Sequence, residues 1–564
     1  MPTRDRMWEG LHGTYDLLVI GGGITGAGIA RDAARRGLRT ALVEGGDLAS
    51  GTSSRSSKLV HGGLRYLEQY EFSLVFEAVS ERRVLMDIAP HLVNPLGFLF
   101  PVFKSSKHGL LKIEAGMWLY DGLSLFRSPK THRTLKPGDV RKEEPALTTA
   151  ELTGAPLYFD CATDDARLTL ETALDAAACG ATVTTWASVS SLLVESDRVC
   201  GARVVDQLGG STKEVHAHAV INATGPWTDR TIALDRVDSR AGTPRVFSVR
   251  PLLRPTKGVH IVVDRAKLPV NHAVVVIHPT DGRVLFAIPW GDQSYVGTTD
   301  TDYQGDPADV AATSDDVDYL IAAARSYFPN HPLQRSDVIA TWAGLRPLMA
   351  PPGDKGEVRE SSVSREHQIV VGQDGLVTIA GGKLTTYRRM AAEVVDTAVG
   401  LLRLGNHLPA RLRAARTEEE PLPGAVGWPE DDDHERVARQ IHQAAGGAVS
   451  EQTARLLADN YGMLGIELAR RVAGDAAQAA PLVEGRPEIV GQVDWAVREE
   501  LAARLSDVLV RRTQLYYRDP DQGLGAAGAI GRRMAGLLGW DDARLASELA
   551  AYEGEVARSR RWRG

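Results

Sequence analysis

Tyr15-Asp16-Leu17-Leu18-Val19-Ile20-Gly21-Gly22-Gly23-Ile24-Thr25-Gly26-Ala27-Gly28-Ile29-Ala30, with Leu38-Arg39-Thr40-Ala41-Leu42-Val43-Glu44 after it, is the stretch on which the fold turns. An apolar run stops at three glycines, an alanine-rich stretch of helical character follows, and a second apolar run ends in an acid. The pattern predicts a βαβ unit at the front of the chain. Gly21-x-Gly23-x-x-Gly26 at its turn lets a pyrophosphate approach the helix N-terminus, where unpaired N–H groups and the helix dipole favour an anion. Glu44 is placed to accept hydrogen bonds from a ribose diol. The spacing alone is weak, because Gly523-x-Gly525-x-x-Gly528 repeats it. That match follows the polar Tyr517-Arg518-Asp519-Pro520 instead of a strand and reads as packing glycines.

Outward from the unit comes Gly51-Thr52-Ser53-Ser54-Arg55-Ser56-Ser57-Lys58, a hydroxyl-rich loop in place of the further βα units of a nicotinamide enzyme. It suits an extended, permanently held FAD. Two later apolar runs also stop at small residues: Ala219-Val220-Ile221 before Asn222-Ala223-Thr224-Gly225, and Leu376 to Ala380 before Gly381-Gly382-Lys383. The same sheet is visited three times. Between the visits lie the alternations Val259 to Val263, Ala273 to Ile277 and Val284 to Ile288, expected of an antiparallel sheet. Thr417-Glu418-Glu419-Glu420-Pro421-Leu422-Pro423-Gly424 reads as a linker into an Ala-, Leu- and Arg-rich helical region, with its clearest helix near Val497 to Thr513.

Composition narrows the classes. The 564 residues are 43% apolar and 24% charged, which excludes broad disorder, and a net charge of −7 gives no drive toward nucleic acid. No run approaches the ~18 apolar residues of a membrane-spanning helix. No secretion signal is read, and Cys161, Cys179 and Cys200 lack disulfide or metal spacing, so a cytoplasmic setting is expected. His216-x-His218 has no third ligand nearby, and no metal is expected.

Three glycine turns each carry a cation: His61-Gly62-Gly63-Leu64-Arg65-Tyr66, Trp342-Ala343-Gly344-Leu345-Arg346-Pro347, and Gly381-Gly382-Lys383-Leu384-Thr385-Thr386-Tyr387. Convergent cations suggest a phosphorylated or carboxylated substrate. With Lys58 to Glu68, Asp164-Asp165-Ala166-Arg167-Leu168, Asn222 to Trp227, Lys257-Gly258-x-His260-Ile261-Val262-Val263, Gly297-Thr298-Thr299-Asp300 and the helix from Val497 through Arg511-Arg512-Thr513, the chain resembles the FAD-dependent glycerol-3-phosphate dehydrogenases. One departure is Val259, where the family pattern has serine.

The resemblance implies oxidation of sn-glycerol 3-phosphate to dihydroxyacetone phosphate by hydride transfer to flavin N5, with electrons passed to a membrane quinone. The related oxidases, which make hydrogen peroxide, are the alternative; an FAD-stabilised binding protein is the non-enzyme alternative. Arg65, Tyr66, Arg346 and Lys383 are expected to bind phosphate and polarise the C2 oxygen, and His260, with an ordinary pKa near ~6.5, to act as base. FAD is expected on Gly21, Gly22, Gly23, Thr25, Gly26 and Glu44; on Thr52, Ser53, Ser54, Lys58 and Leu59; on His61, Gly62 and Gly63; and on Ala187, Thr224, Gly225, Gly382, Leu384 and Thr385.

The expected fold class is α/β. An FAD-binding Rossmann-like domain of glutathione-reductase type (14–90, 210–235, 340–400) interleaves with an antiparallel-sheet substrate-binding domain (91–209, 236–339). A linker (401–424) leads to an all-helical C-terminal domain (425–564). Peripheral association with the inner face of the cytoplasmic membrane is expected through Leu96 to Phe103, Leu110 to Leu125 and the basic tail 558–563, and a homodimer is allowed.

Overall fold

A computed structural model describes residues 3–564 except 65–66, 68–69, 125–128, 239–243, 246–250 and 351–365. Arg65, Tyr66 and Leu125 therefore lie outside the described residues.

The strand Thr14–Ile20 is buried from Leu17 onward, because its side chains are covered on both faces, as a parallel strand requires. It pairs in parallel with Thr40–Val43 on one side and Thr212–Asn222 on the other. Thr182–Thr184 continues the parallel order beyond Thr40–Val43, and Val377–Ala380 joins the far end of Thr212–Asn222. Helix Ile24–Arg35 crosses between the first two strands, packed between helices Asp165–Ala178 and Tyr387–Leu404. Its Ile29, Ala30 and Ala33 are fully buried, and burial of a side chain the size of Ile29 contributes about 1.5–3 kcal/mol. Among the described residues the sheet has ten strands.

A mostly antiparallel sheet, eleven-stranded among the described residues, forms the second layer, with Thr256–Asp264 between Gln293–Gly297 and Val338–Arg346. Its inner face holds Val259, Ile261, Val263, Val296, Ala343 and Leu345 in one apolar core with helix Ser314–Tyr327. The opposite face presents His260 and Trp342.

Sheet membership differs from the expected segments. Thr182–Thr184, Ala187–Glu195, Arg198–Asp206 and Arg236–Asp238, expected in the substrate-binding part, belong to the first sheet. Conversely, Leu59–Val60 and residues 340–346 of Val338–Arg346, expected in the FAD-binding part, pair within the second. Alternation along a strand reports which residues are buried, and the partner strand is chosen by distant segments.

The C-terminal region is helical, from His434–Ala444 to Asp542–Ser559. The continuous helix expected near 497–513 is broken: Val490–Glu499 ends, Leu501 sits at φ +59°, and a π-helical turn spans Asp507–Arg512. Asp507 accepts the N–H groups of Ala503 and Arg504, both at 2.9 Å, satisfying donors at the second segment's start.

Candidate functional site

The glycine turn of the βαβ unit is shaped for something to approach it. Gly21 is at φ +112°, and a Cβ on Gly26 would lie 1.9 Å from the Gly21 carbonyl oxygen, so strand end and helix start are in contact. The Gly22 N–H donates to Glu44 Oε2 at 2.6 Å, and the Ile24 N–H to Ser53 Oγ at 2.9 Å. The N–H groups of Gly23, Thr25 and Gly26 have no acceptor among the described residues. A helix N-terminus with unspent donors fits a pyrophosphate. Glu44 Oε1 also accepts the Gly46 N–H at 2.8 Å, and burial raises its carboxyl above the usual range. Ala187 donates its N–H to the Glu44 carbonyl at 2.7 Å, and Ala223 and Thr224 press on Gly21. The structure thus brings Gly21 to Gly26, Glu44, Ser53, Ala187, Thr224 and Gly225 to one edge of the parallel sheet.

The hydroxyl-rich loop runs from there to the second sheet. Thr52 Oγ1 donates to the Leu345 carbonyl at 2.6 Å, and the Trp342 indole N–H donates to the Ser56 carbonyl at 3.0 Å. The Lys58 ammonium pairs with buried Asp165 at 2.7 Å and lies 5.5–5.8 Å from the rings of Trp342, Trp290 and Tyr517. Its charge is committed there. Ser54 is buried beside it, its carbonyl accepting from the same ammonium, and Leu59 packs in the apolar core below. His61, Gly62 and Gly63 come against the third turn: the His61 N–H donates to Thr385 Oγ1 at 3.1 Å, and that hydroxyl donates back to the His61 carbonyl. Gly382, at φ +94°, Lys383 and Leu384 lead from this contact into helix Tyr387–Leu404.

His260 and Arg346 share the face of the antiparallel pair opposite the apolar core, with Gly258 and Gly344 between them. Asp300 holds the Arg346 guanidinium at 2.9 Å, and Thr298 Oγ1 accepts from it at 3.2 Å. His260 Nε2 lies 2.9 Å from Ser57 Oγ, and the ring stacks on Trp342 at 4.6 Å. The expectation of an ordinary pKa is corrected here. Burial, then the charges of Arg346 and Lys58, push the imidazole well below its usual value. Its Nδ1 is buried without a partner among the described residues, and buried polar atoms are nearly always paired, which fits a bound group beside this ring. Val259 is fully buried on the other face, so the departure from serine falls in the core.

The βαβ donors, the glycine cradle and the His260 face fit an extended FAD. Sequence reasoning missed the groups that hold these residues in place: Ser57 on His260, Asp300 on Arg346, Asp165 on Lys58. It also missed Asp47, buried beside Glu44, where Arg511 and Arg512 of the helical region grip it and hold its carboxyl below the usual range although burial opposes this. The only signals were the adjacent Asp300, Asp165 and Arg511-Arg512 in the longer motifs.

A dinucleotide cradle on a parallel sheet, joined to an antiparallel sheet carrying a cation and a neutral histidine, defines an FAD-binding oxidoreductase fold. Residues 16–388 match the family of FAD dependent oxidoreductases, and 415–545 match the C-terminal domain of alpha-glycerophosphate oxidase. The chain is 41% identical over 543 residues to glycerol-3-phosphate dehydrogenase 2 of Mycobacterium tuberculosis, covering 96% of this chain and 88% of that one. It is 36% identical to the aerobic glycerol-3-phosphate dehydrogenase of Staphylococcus epidermidis, covering 98% and 96%. The crystal structure of the Bacillus halodurans glycerol-3-phosphate dehydrogenase complexed with FAD superposes with a TM-score of 0.76 at 32% identity, covering 98% of this chain and 97% of that one. The chain belongs to the FAD-dependent glycerol-3-phosphate dehydrogenase family.

Proposed function

We propose that the chain oxidises sn-glycerol 3-phosphate to dihydroxyacetone phosphate and passes the electrons to a quinone in the membrane. The carrying observation is that Arg346, fixed by Asp300, shares a sheet face with the neutral His260. FAD, when bound, supplies the two-electron acceptor for the C2 hydrogen. The residues assigned to it are those of the βαβ turn with Glu44; Thr52, Ser53, Ser54, Lys58 and Leu59; His61 to Gly63; Ala187; Thr224 and Gly225; and Gly382, Leu384 and Thr385. Arg346 and Lys383, with Arg65 and Tyr66 from the resemblance, bind the dianionic phosphate and polarise the C2 oxygen, because such an anion needs several charge-assisted donors. Asp300 keeps the Arg346 fork in one plane. His260, already neutral, takes the C2 hydroxyl proton.

The quinone is reached from a bilayer surface. No helix among the described residues is long and apolar enough to cross a membrane. Helices Phe72–Ile88 and Leu110–Leu123 pack together and expose Phe72, Phe76, Leu111, Trp118 and Leu119, with Tyr70 79% exposed just before them. Exposed Lys104, Lys107 and Lys112 lie in and before the second helix. An apolar surface flanked by lysines suits an anionic lipid face. Of the segments expected to touch lipid, Phe98 and Tyr120 are core residues instead. The basic tail is also spent on the protein: Arg561 pairs with Asp309 at 2.8 Å, Trp562 is buried, and Arg563 donates to the Val338 carbonyl. Turnover with glycerol 3-phosphate and a soluble quinone analogue, together with flotation on anionic vesicles reversed by mild detergent, tests the reading. Stoichiometric peroxide without quinone reduction replaces it with the oxidase.

A further inference from the structure

Gly62 has no slack. A Cβ there would lie 2.2 Å from the Tyr120 hydroxyl and 2.4 Å from Val79 Cγ1. Its N–H donates to the Tyr120 oxygen at 3.0 Å and to Asp160 Oδ1 at 3.2 Å. The Tyr120 hydroxyl donates to the Asp160 carboxylate at 2.8 Å, and Arg82 pairs with the same carboxylate while donating to the Tyr120 oxygen at 3.2 Å. Arg82, Tyr120 and Asp160 are each at most 2% exposed. Burial, then the Asp160 charge, hold the phenol well above its usual value, so it remains a donor at working pH.

A buried ion pair is a poor route to stability, since an apolar trio of the same volume often serves as well. Its yield is a fixed geometry, and one backbone N–H receives it. Gly62 follows His61, whose N–H and carbonyl are both tied to Thr385, so the network locks two glycine turns together. Arg82 and Tyr120 come from the two helices that expose the apolar face.

We propose that Tyr120, held by Asp160 and Arg82, is a positioning residue that sets the Gly62 N–H and thereby the turn bordering the flavin. The inference rests on the reading that this turn borders FAD. It assigns no chemistry to Tyr120, which acts through the turn.

The test compares Tyr120→Phe with Tyr158→Phe in the holoenzyme. Tyr158 is a buried neighbour whose ring lies 6.1 Å from that of Tyr120 and which makes no hydrogen bond to Gly62 among the described residues. Amide hydrogen exchange over 59–64, FAD content, the flavin midpoint potential, and kcat against KM are read for both. Tyr120→Phe is expected to keep its FAD, exchange the Gly62 amide about tenfold faster, shift the flavin potential, and lose about tenfold in kcat with KM nearly unchanged. Tyr158→Phe is expected to change none of these, whatever its Tm. Equal changes in both variants, or unchanged exchange in Tyr120→Phe, overturn the proposal. So does ordinary fast loop exchange of Gly62 in the unaltered protein, without recourse to any variant. If glycerol 3-phosphate fails to reduce the unaltered flavoprotein, the substrate reading fails, while the exchange comparison still decides the role of Tyr120.

Discussion

Gly21 to Gly26 and Gly523 to Gly528 have the same spacing, and each opens a helix. At the first, Gly26 touches the strand end, and three N–H groups stay without an acceptor among the described residues. At the second, the Gly523 N–H donates to Asp519 at 3.0 Å and the Gly525 N–H to Asp521 at 2.8 Å, so two carboxylates already occupy the helix N-terminus. A Cβ on Gly528 would meet nothing closer than 3.6 Å. Glycine spacing permits close approach; a preceding strand and unspent donors make an anion site.

Substitutions at the two glycine turns and at the groups around the first should have different consequences. Gly26→Ala should abolish FAD binding, because the new methyl collides with the Gly21 carbonyl, and the protein should purify colourless; flavin content per chain measures this. Arg346→Ala should stay yellow yet lose at least ~100-fold in kcat/KM for glycerol 3-phosphate, separating cofactor cradle from substrate cation. Glu44→Ala removes the acceptor for a ribose diol and should weaken FAD retention by about tenfold, read by dialysis and fluorescence. His260 gives a pH signature. Since its folded pKa is depressed, the unfolded chain binds a proton that the folded one refuses. Stability is therefore lost as pH falls below ~6.5, and kcat/KM shows no acid limb near that pH. Urea melts and pH–rate profiles check both, and an acid limb at ~6.5 that disappears in His260→Gln contradicts the burial argument. Gly525→Ala should leave FAD content and kcat/KM unchanged.

The βαβ unit was legible because its determinants are local: Ile20 ends a buried strand, Gly21 turns it, and Ala27 to Ala34 continue as helix within a few residues. Which sheet a strand joins was not, because Val338–Arg346 takes its place from Thr256–Asp264, far away in sequence. Leu501 interrupts an otherwise periodic helix because Asp507 caps the second segment locally and the buried Asp47–Arg512 pair holds that segment from a distant part of the chain. His260 was legible as a residue; its lowered pKa, set by burial and then by Arg346 and Lys58, required the packed structure. The helix carrying Tyr120 displays an apolar outer face, and nothing in that pattern signals a hydroxyl aimed inward at Gly62.

Whether this flavoprotein takes electrons from glycerol 3-phosphate decides the proposed function. The most direct measurement is anaerobic addition of sn-glycerol 3-phosphate to the purified yellow protein, followed by absorbance, with NADH and unphosphorylated glycerol as controls. Glycerol 3-phosphate alone is expected to bleach the flavin, and a quinone analogue to restore its yellow colour. A flavin that stays yellow with glycerol 3-phosphate but bleaches with dithionite would contradict it.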